Sequence, residues 1–102
     1  MSHDDFAVVI GQDGEHVTVH VTGDVDLETS PALTEALRAV SDTGAKLVRL
    51  DLSGVTFLDS TGIGALVNAM LAGLHLEITA ASRSVNRALE LAGIPELPPR
   101  PG

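Results

Sequence analysis

Lys46–Met70 reads KLVRLDLSGVTFLDSTGIGALVNAM, an apolar run that turns through Asp59 and Ser60 into a helical repeat. Leu47, Val48, Leu50 and Leu52 are nearly continuous, which predicts a central strand covered on both faces. From Ile63 the apolar positions recur at Leu66, Val67, Met70, Leu71 and Leu74, the three- and four-residue spacing of one helix face. Asp59 and Ser60 therefore stand at a helix start, where a short side-chain oxygen accepts from amides that lack an intrahelical partner. Two readings of Ser60 are open at this level. It is an N-cap and nothing more, or it is an addressable hydroxyl beside the helix's first amides, with Gly62 and Gly64 clearing space around it. A phosphoryl group on it would carry nearly two negative charges and meet the positive end of the helix dipole.

Outward from this segment the chain alternates strands with helices. Ala7–Ile10 reads as a short strand and Gln12, Asp13 and Gly14 as a turn. His16–Thr22 then alternates cleanly, with Val17, Val19 and Val21 on one face and His16, Thr18, His20 and Thr22 on the other. The two strands are close enough in sequence to form a hairpin. Ser30 followed by Pro31 is a helix start, because proline's missing amide costs nothing at the first helical position. Leu33, Ala36, Leu37 and Val40 form the apolar face of that helix and Gly44 follows its end. Downstream, Leu76, Ile78 and Ala80 predict a strand parallel to the central one, reached by a right-handed helical crossover. A last helix begins near Ser82 or Ser84 and presents Val85, Ala88, Leu89 and Ala92 before Gly93. Ile94–Gly102, with four prolines, reads as a poorly ordered tail. The sum is one small α/β domain: a mixed, mostly parallel sheet with an N-terminal hairpin and packed helices.

Composition narrows the function classes. A chain of 102 residues supports a single core, and with only Phe6 and Phe57 aromatic that core is built from Val, Leu, Ile and Ala. Fourteen acidic against six basic residues, a formal net charge of -8, oppose binding to nucleic acid or anionic lipid. Cysteine is absent, which removes disulfides, thiolate metal sites and a thiol nucleophile. The first residues, MSHDDFAVVI, lack a basic region before an apolar stretch, and no apolar run reaches the roughly 18 residues of a membrane span. The expectation is a soluble cytoplasmic protein without membrane insertion. Catalytic signatures fail on particular residues. Leu58 stands where a hydrolase nucleophile elbow needs glycine, and Gly62 and Gly64 lead into Ala65 and Leu66 where a phosphate loop needs lysine. His16 and His20 share a strand face but stand about 13 Å apart, too far to hold one ion. His3, beside Asp4 and Asp5, reads as part of a mobile terminus. No metal, cofactor or catalytic residue is expected.

The carboxylates divide into two groups. Asp24 and Asp26 follow Gly23 at the end of the second strand, and Asp51 and Asp59 are read as flanking the end of the central one. If those strands are neighbours, Asp26 comes near Asp59 and Ser60 and forms an acidic rim at one sheet edge. Such a rim repels free ATP, yet can accept magnesium carried by a partner's nucleotide or orient the hydroxyl for phosphoryl transfer. For Asp24 and Asp51, capping strand ends and keeping the protein soluble is the better reading.

Three segments in order, GDVDL at Gly23–Leu27, LDLSGVTFLDSTGIGAL at Leu50–Leu66 and SRSVNRALELAGI at Ser82–Ile94, resemble the STAS domain family, and within it the bacterial anti-sigma factor antagonists. The resemblance spans Phe6–Leu97 and leaves Pro98–Gly102 as a Pro-rich tail. It implies that Ser60 is phosphorylated by a partner anti-sigma factor that is also a serine kinase. The unphosphorylated protein then binds that kinase and frees the sigma factor, phosphorylation breaks the complex, and a metal-dependent serine phosphatase restores it. It also implies that Asp26, Asp59, Ser60, Thr61 and Gly62 form the partner-binding edge. The chain departs from the family in two places: the segment between Leu66 and Leu76 is short, and LPPRPG replaces the usual final apolar segment. Two other functions fit the same residues. One is a constitutive STAS subunit of a transporter or sensory complex without a phosphate cycle. The other is a small-ligand or nucleotide site using the helix N-terminus to hold an anion.

Overall fold

A computed structural model describes residues 6–13 and 16–93. Its elements are β1 (Ala7–Asp13), β2 (His16–Val25), α1 (Ser30–Asp42), β3 (Leu47–Leu58), α2 (Ser60–Leu71), β4 (His75–Ala81) and α3 (Arg83–Leu91). The strands lie in one sheet in the order β1-β2-β3-β4. β1 pairs antiparallel with β2, and β2–β3 and β3–β4 are parallel. The expected mixed sheet, hairpin and helical crossovers are all present. The hairpin turn is shorter than expected, since Gln12 and Asp13 pair with Val17 and His16 inside β1; Gly14 lies outside the described residues, as does the Pro-rich tail with the boundary at Leu97.

The central strand corrects one expectation. β3 is covered on one face only: Val48, Leu50 and Leu52 are fully buried, whereas Leu47 and Arg49 are exposed and Asp51 is half-exposed. The cause is topological. Both parallel crossovers step in the same direction across the sheet, and a right-handed connection then places both helices on the same side. β2 shows the same one-sided alternation, Val17, Val19, Val21 and Val25 inward against His16, His20 and Thr22 outward. The inward faces of α1 (Leu33, Leu37, Val40), α2 (Ala65, Leu66) and α3 (Val85, Leu89) close one continuous cluster over that side. Each fully buried Val or Leu there contributes about 1.5–3 kcal/mol.

Asp51 is not at a strand end but in mid-strand on the open face. Its Oδ1 accepts from the Ser53 amide at 2.9 Å and its Oδ2 lies 3.2 Å from His20 Nδ1. The Ser53 bonds, with His20 behind them, hold this carboxyl below the usual carboxylate range against a smaller opposing effect of desolvation. The α2 face is also narrower than its period suggests: Leu71 is 81% exposed, and Leu74 is buried in the turn beyond the helix.

Candidate functional site at the strand ends

β2 and β3 end side by side, Val25 paired with Leu58. The Asp59 amide donates to the Val25 carbonyl at 3.1 Å, extending that pairing by one residue. Asp26 and Asp59 are therefore the first residues past two adjacent strand ends, the arrangement expected on condition that the two strands are neighbours, as they are. They do different local work. Asp26 Oδ1 accepts from the amides of Glu28 and Thr29, each at 3.1 Å, and holds a four-residue turn that leads into α1. The Thr29 hydroxyl, 2.9 Å from the Asp26 amide and 2.8 Å from the Asp24 carbonyl, locks that turn to the strand end.

Asp59 caps α2 directly. Its Oδ1 accepts from the Thr61 amide at 2.9 Å, the Gly62 amide at 3.1 Å and the Thr61 hydroxyl at 2.5 Å. The Thr61 hydroxyl first, then the two amides, hold this carboxyl below the usual range despite some desolvation. Of the two candidate caps the helix uses the aspartate, so Ser60 is its first residue and not its cap. Ser60 is exposed, and its hydroxyl makes no hydrogen bond among the described residues. The expectation that Ser60 faces open helix amides is corrected by the same bonds, because the Thr61 and Gly62 amides are already taken by Asp59. A charge added at Ser60 would meet a neighbouring carboxylate and point outward.

Gly62 is what lets α2 begin so close to the sheet. A Cβ there would stand 2.6 Å from Leu58 Cδ1 and 2.7 Å from Val25 Cγ1, so the missing side chain serves packing beneath the helix and clears nothing around Ser60. A groove of about 310 Å³ between α1 and α2, with Leu37, Ala69 and Leu74 in its lining, lies toward the other end of α2. Among the described residues no group of three His, Asp or Glu side chains is arranged to hold a metal ion, and no helix is long and apolar enough to cross a membrane.

Two residues of this edge were not singled out from sequence. Leu27, in the turn after Asp26, is 73% exposed, and Phe57, paired with Asp24 near the end of β3, is 51% exposed. The available signal was a break in parity. β3 carries two register shifts against β2, and the second admits Thr56 as an extra residue before Phe57. Thr56 then donates to Asp24 Oδ1 at 2.5 Å, which gives Asp24 a structural task. The segments forming the edge, 23–30 and 55–64, hold four carboxylates and no lysine, arginine or histidine.

Residues 8–99 match the family model described as Mlab, STAS domain. The chain belongs to the STAS domain family. It is 36% identical over 58 residues to the anti-sigma-B factor antagonist of Listeria monocytogenes, a match covering 57% of this chain and 51% of that protein, so the aligned part spans about half of that relative. It is 30% identical over 101 residues to the anti-sigma-B factor antagonist of Staphylococcus epidermidis, covering 95% of this chain and 84% of the relative. The crystal structure of an anti-sigma factor antagonist from Mycobacterium paratuberculosis superposes with a TM-score of 0.82 at 26% identity, over 97% of this STAS domain chain and 92% of the other.

Proposed function

We propose that this STAS protein is an anti-sigma factor antagonist whose unmodified strand-end surface binds an anti-sigma factor serine kinase, releasing the sigma factor, and whose phosphorylation at Ser60 ends that binding. The observation that carries the reading is the state of Ser60: exposed, unbonded among the described residues, first in its helix, and beside an aspartate that has already taken the neighbouring amides. In the transfer step Ser60 Oγ forms a bond to the γ-phosphorus of the kinase's ATP, the bond to the β–γ bridging oxygen breaks, ADP leaves, and the hydroxyl proton passes to a base on the kinase. Asp26, Asp59, Thr61 and Gly62 shape the surface that the kinase reads. None of them is catalytic, and the protein is a binding partner and substrate, not an enzyme.

The switch follows from electrostatics. A phosphate at Ser60 adds nearly two negative charges to an edge that already holds Asp24, Asp26, Glu28 and Asp59 and offers no cation from its own segments. An unpaired charge trapped in a contact surface costs several kcal/mol. A serine phosphatase resets the cycle, and the cytoplasm, which holds both ATP and sigma factors, is where the cycle runs.

The reading is tested by mixing the purified protein with the anti-sigma kinases of its own bacterium and Mg-ATP, then mapping the modified residue by mass spectrometry. Stoichiometric phosphate on Ser60 is expected. Phosphate on another residue, or none with any kinase, contradicts it; the latter is what a constitutive STAS subunit of a transporter or sensory complex would show.

A further inference from the structure

We propose that the docking surface continues from Ser60 down the outer face of α2 as an uncharged line, Gly64, Val67 and Leu71, which seats in an apolar groove of the same partner protein. This rests on the reading of Ser60 as a partner contact. At 100° per residue, positions 60, 64, 67 and 71 fall within a narrow sector opposite the buried Gly62, Ala65 and Leu66. The line spans the twelve residues of the helix, about 16 Å from first to last. Leu71 is 81% exposed, Gly64 is half-covered, and Val67 is half-covered with part of its side chain packed against the core. A helix on the surface of a domain ordinarily carries charge on its outer side. α1 does so with exposed Glu35, Arg38 and Asp42, and α3 with exposed Arg83, Arg87 and Glu90, whereas Ser60–Leu71 contains no charged residue.

Gly64 supplies a second, independent observation. A Cβ at Gly62 would strike Leu58 and Val25, and one at Gly54 would stand 2.7 Å from Thr22 Cγ2, so the fold itself demands both glycines. Among the described residues, a Cβ at Gly64 meets nothing within 4 Å. Glycine in a helix interior is destabilising relative to alanine, and here internal packing returns nothing for it. A surface pressed against the helix backbone from outside does, because it needs the approach that a side chain would block.

Charge and continuity identify the occupant. One end of the line is Ser60 with its rim of carboxylates, so a partner covering the line must present basic groups there and an apolar groove beyond. A second copy of this chain fits poorly, since each copy brings a net charge of -8 and the same acidic rim. A membrane surface is disfavoured by the same charge.

The test titrates the anti-sigma kinase that modifies Ser60 with the wild type, Ser60→Asp, Gly64→Ala, Leu71→Gln and, as a control off the line, Leu91→Gln, whose parent side chain is 80% exposed. Gly64→Ala should raise the melting temperature and still weaken binding, and Leu71→Gln should weaken it about tenfold at unchanged melting temperature. Leu91→Gln should bind as the wild type does. If Ser60→Asp abolishes binding while Gly64→Ala and Leu71→Gln bind normally, the extended line is wrong and the Ser60 reading stands. Absence of wild-type binding removes both. Equal weakening by Leu91→Gln, or a concentration-dependent dimer abolished by Leu71→Gln, would overturn the proposal, the latter by assigning the line to a second copy.

Discussion

Two of the helices begin on a serine that follows a core strand, and the two serines have opposite fates. Ser30 opens α1 and is only 7% exposed, while Ser60 opens α2 and stands in solvent. Composition does not separate them, because each is preceded by an aspartate at a strand end. What differs is the number of residues between strand and helix. Four residues, Asp26–Thr29, carry the chain from β2 to α1, and Asp26 spends its carboxylate on that turn, which tucks Ser30 under the helix start. One residue, Asp59, carries it from β3 to α2 and caps the helix itself, so the next side chain is thrown clear of the fold. In this fold the serine at a helix start is exposed where the residue before it is the whole connection and bonds the helix amides through its side chain, as Asp59 does and Thr29, the residue before Ser30, does not.

The sharpest way to break this comparison is to make the same substitution at both serines. Ser30→Asp buries a charge without a cation and should cost about 3 kcal/mol or more in chemical denaturation. Ser60→Asp should stay within about 0.5 kcal/mol of wild type. Comparable losses at the two positions would show that Ser60 is as much a part of the fold as Ser30. Next in size, Gly62→Ala forces a methyl against Val25, which is fully buried, and should cost about 1–3 kcal/mol. An unchanged melting temperature would mean that α2 does not need its close seat on the strand ends. Asp59→Ala removes the cap and should cost about 1 kcal/mol, with Asp59→Asn recovering most of it.

The smallest effect lies in pH. Asp59 and Asp51 both have carboxyls held below their ordinary value of 3.8 in the folded protein. Their contribution to stability is complete above that value and is lost as pH falls through the depressed folded values, because the unfolded chain then takes up protons first. Melting temperature should therefore drop on acidification below about pH 4. Asp59→Asn should shallow that drop without abolishing it, since Asp51 titrates in the same window. An unaltered acid limb in Asp59→Asn would show that the cap does not hold the carboxylate charged.

Much of this is legible in the sequence. The order of strands and helices follows from apolar period, and the place of the site follows from Asp59-Ser60 at the change from period two to period 3.6. The neighbouring strand ends that bring Asp26 and Asp59 together follow from the hairpin and the right-handed crossovers. The sheet's open face did not follow: Leu47 beside Val48 looks like two-sided burial, and only the common direction of both crossovers shows that one side is left to solvent. Phe57 was hidden for a related reason, because the two bulges of β3 reset its parity after Leu52. Glycine roles are the least legible of all. Gly62 and Gly64 look alike in the string, yet a Cβ at the first would stand 2.6 Å from a leucine methyl and one at the second would meet none of the described residues within 4 Å.

The central claim, that one exposed oxygen works as a charge-operated release for a protein partner, is tested most directly by calorimetric titration of the anti-sigma kinase with Ser60→Ala and Ser60→Asp, both first shown to melt like the wild type. Ser60→Ala should keep wild-type affinity and Ser60→Asp should lose it by about a hundredfold, the equivalent of about 2.7 kcal/mol. Equal affinity of the two variants would contradict it.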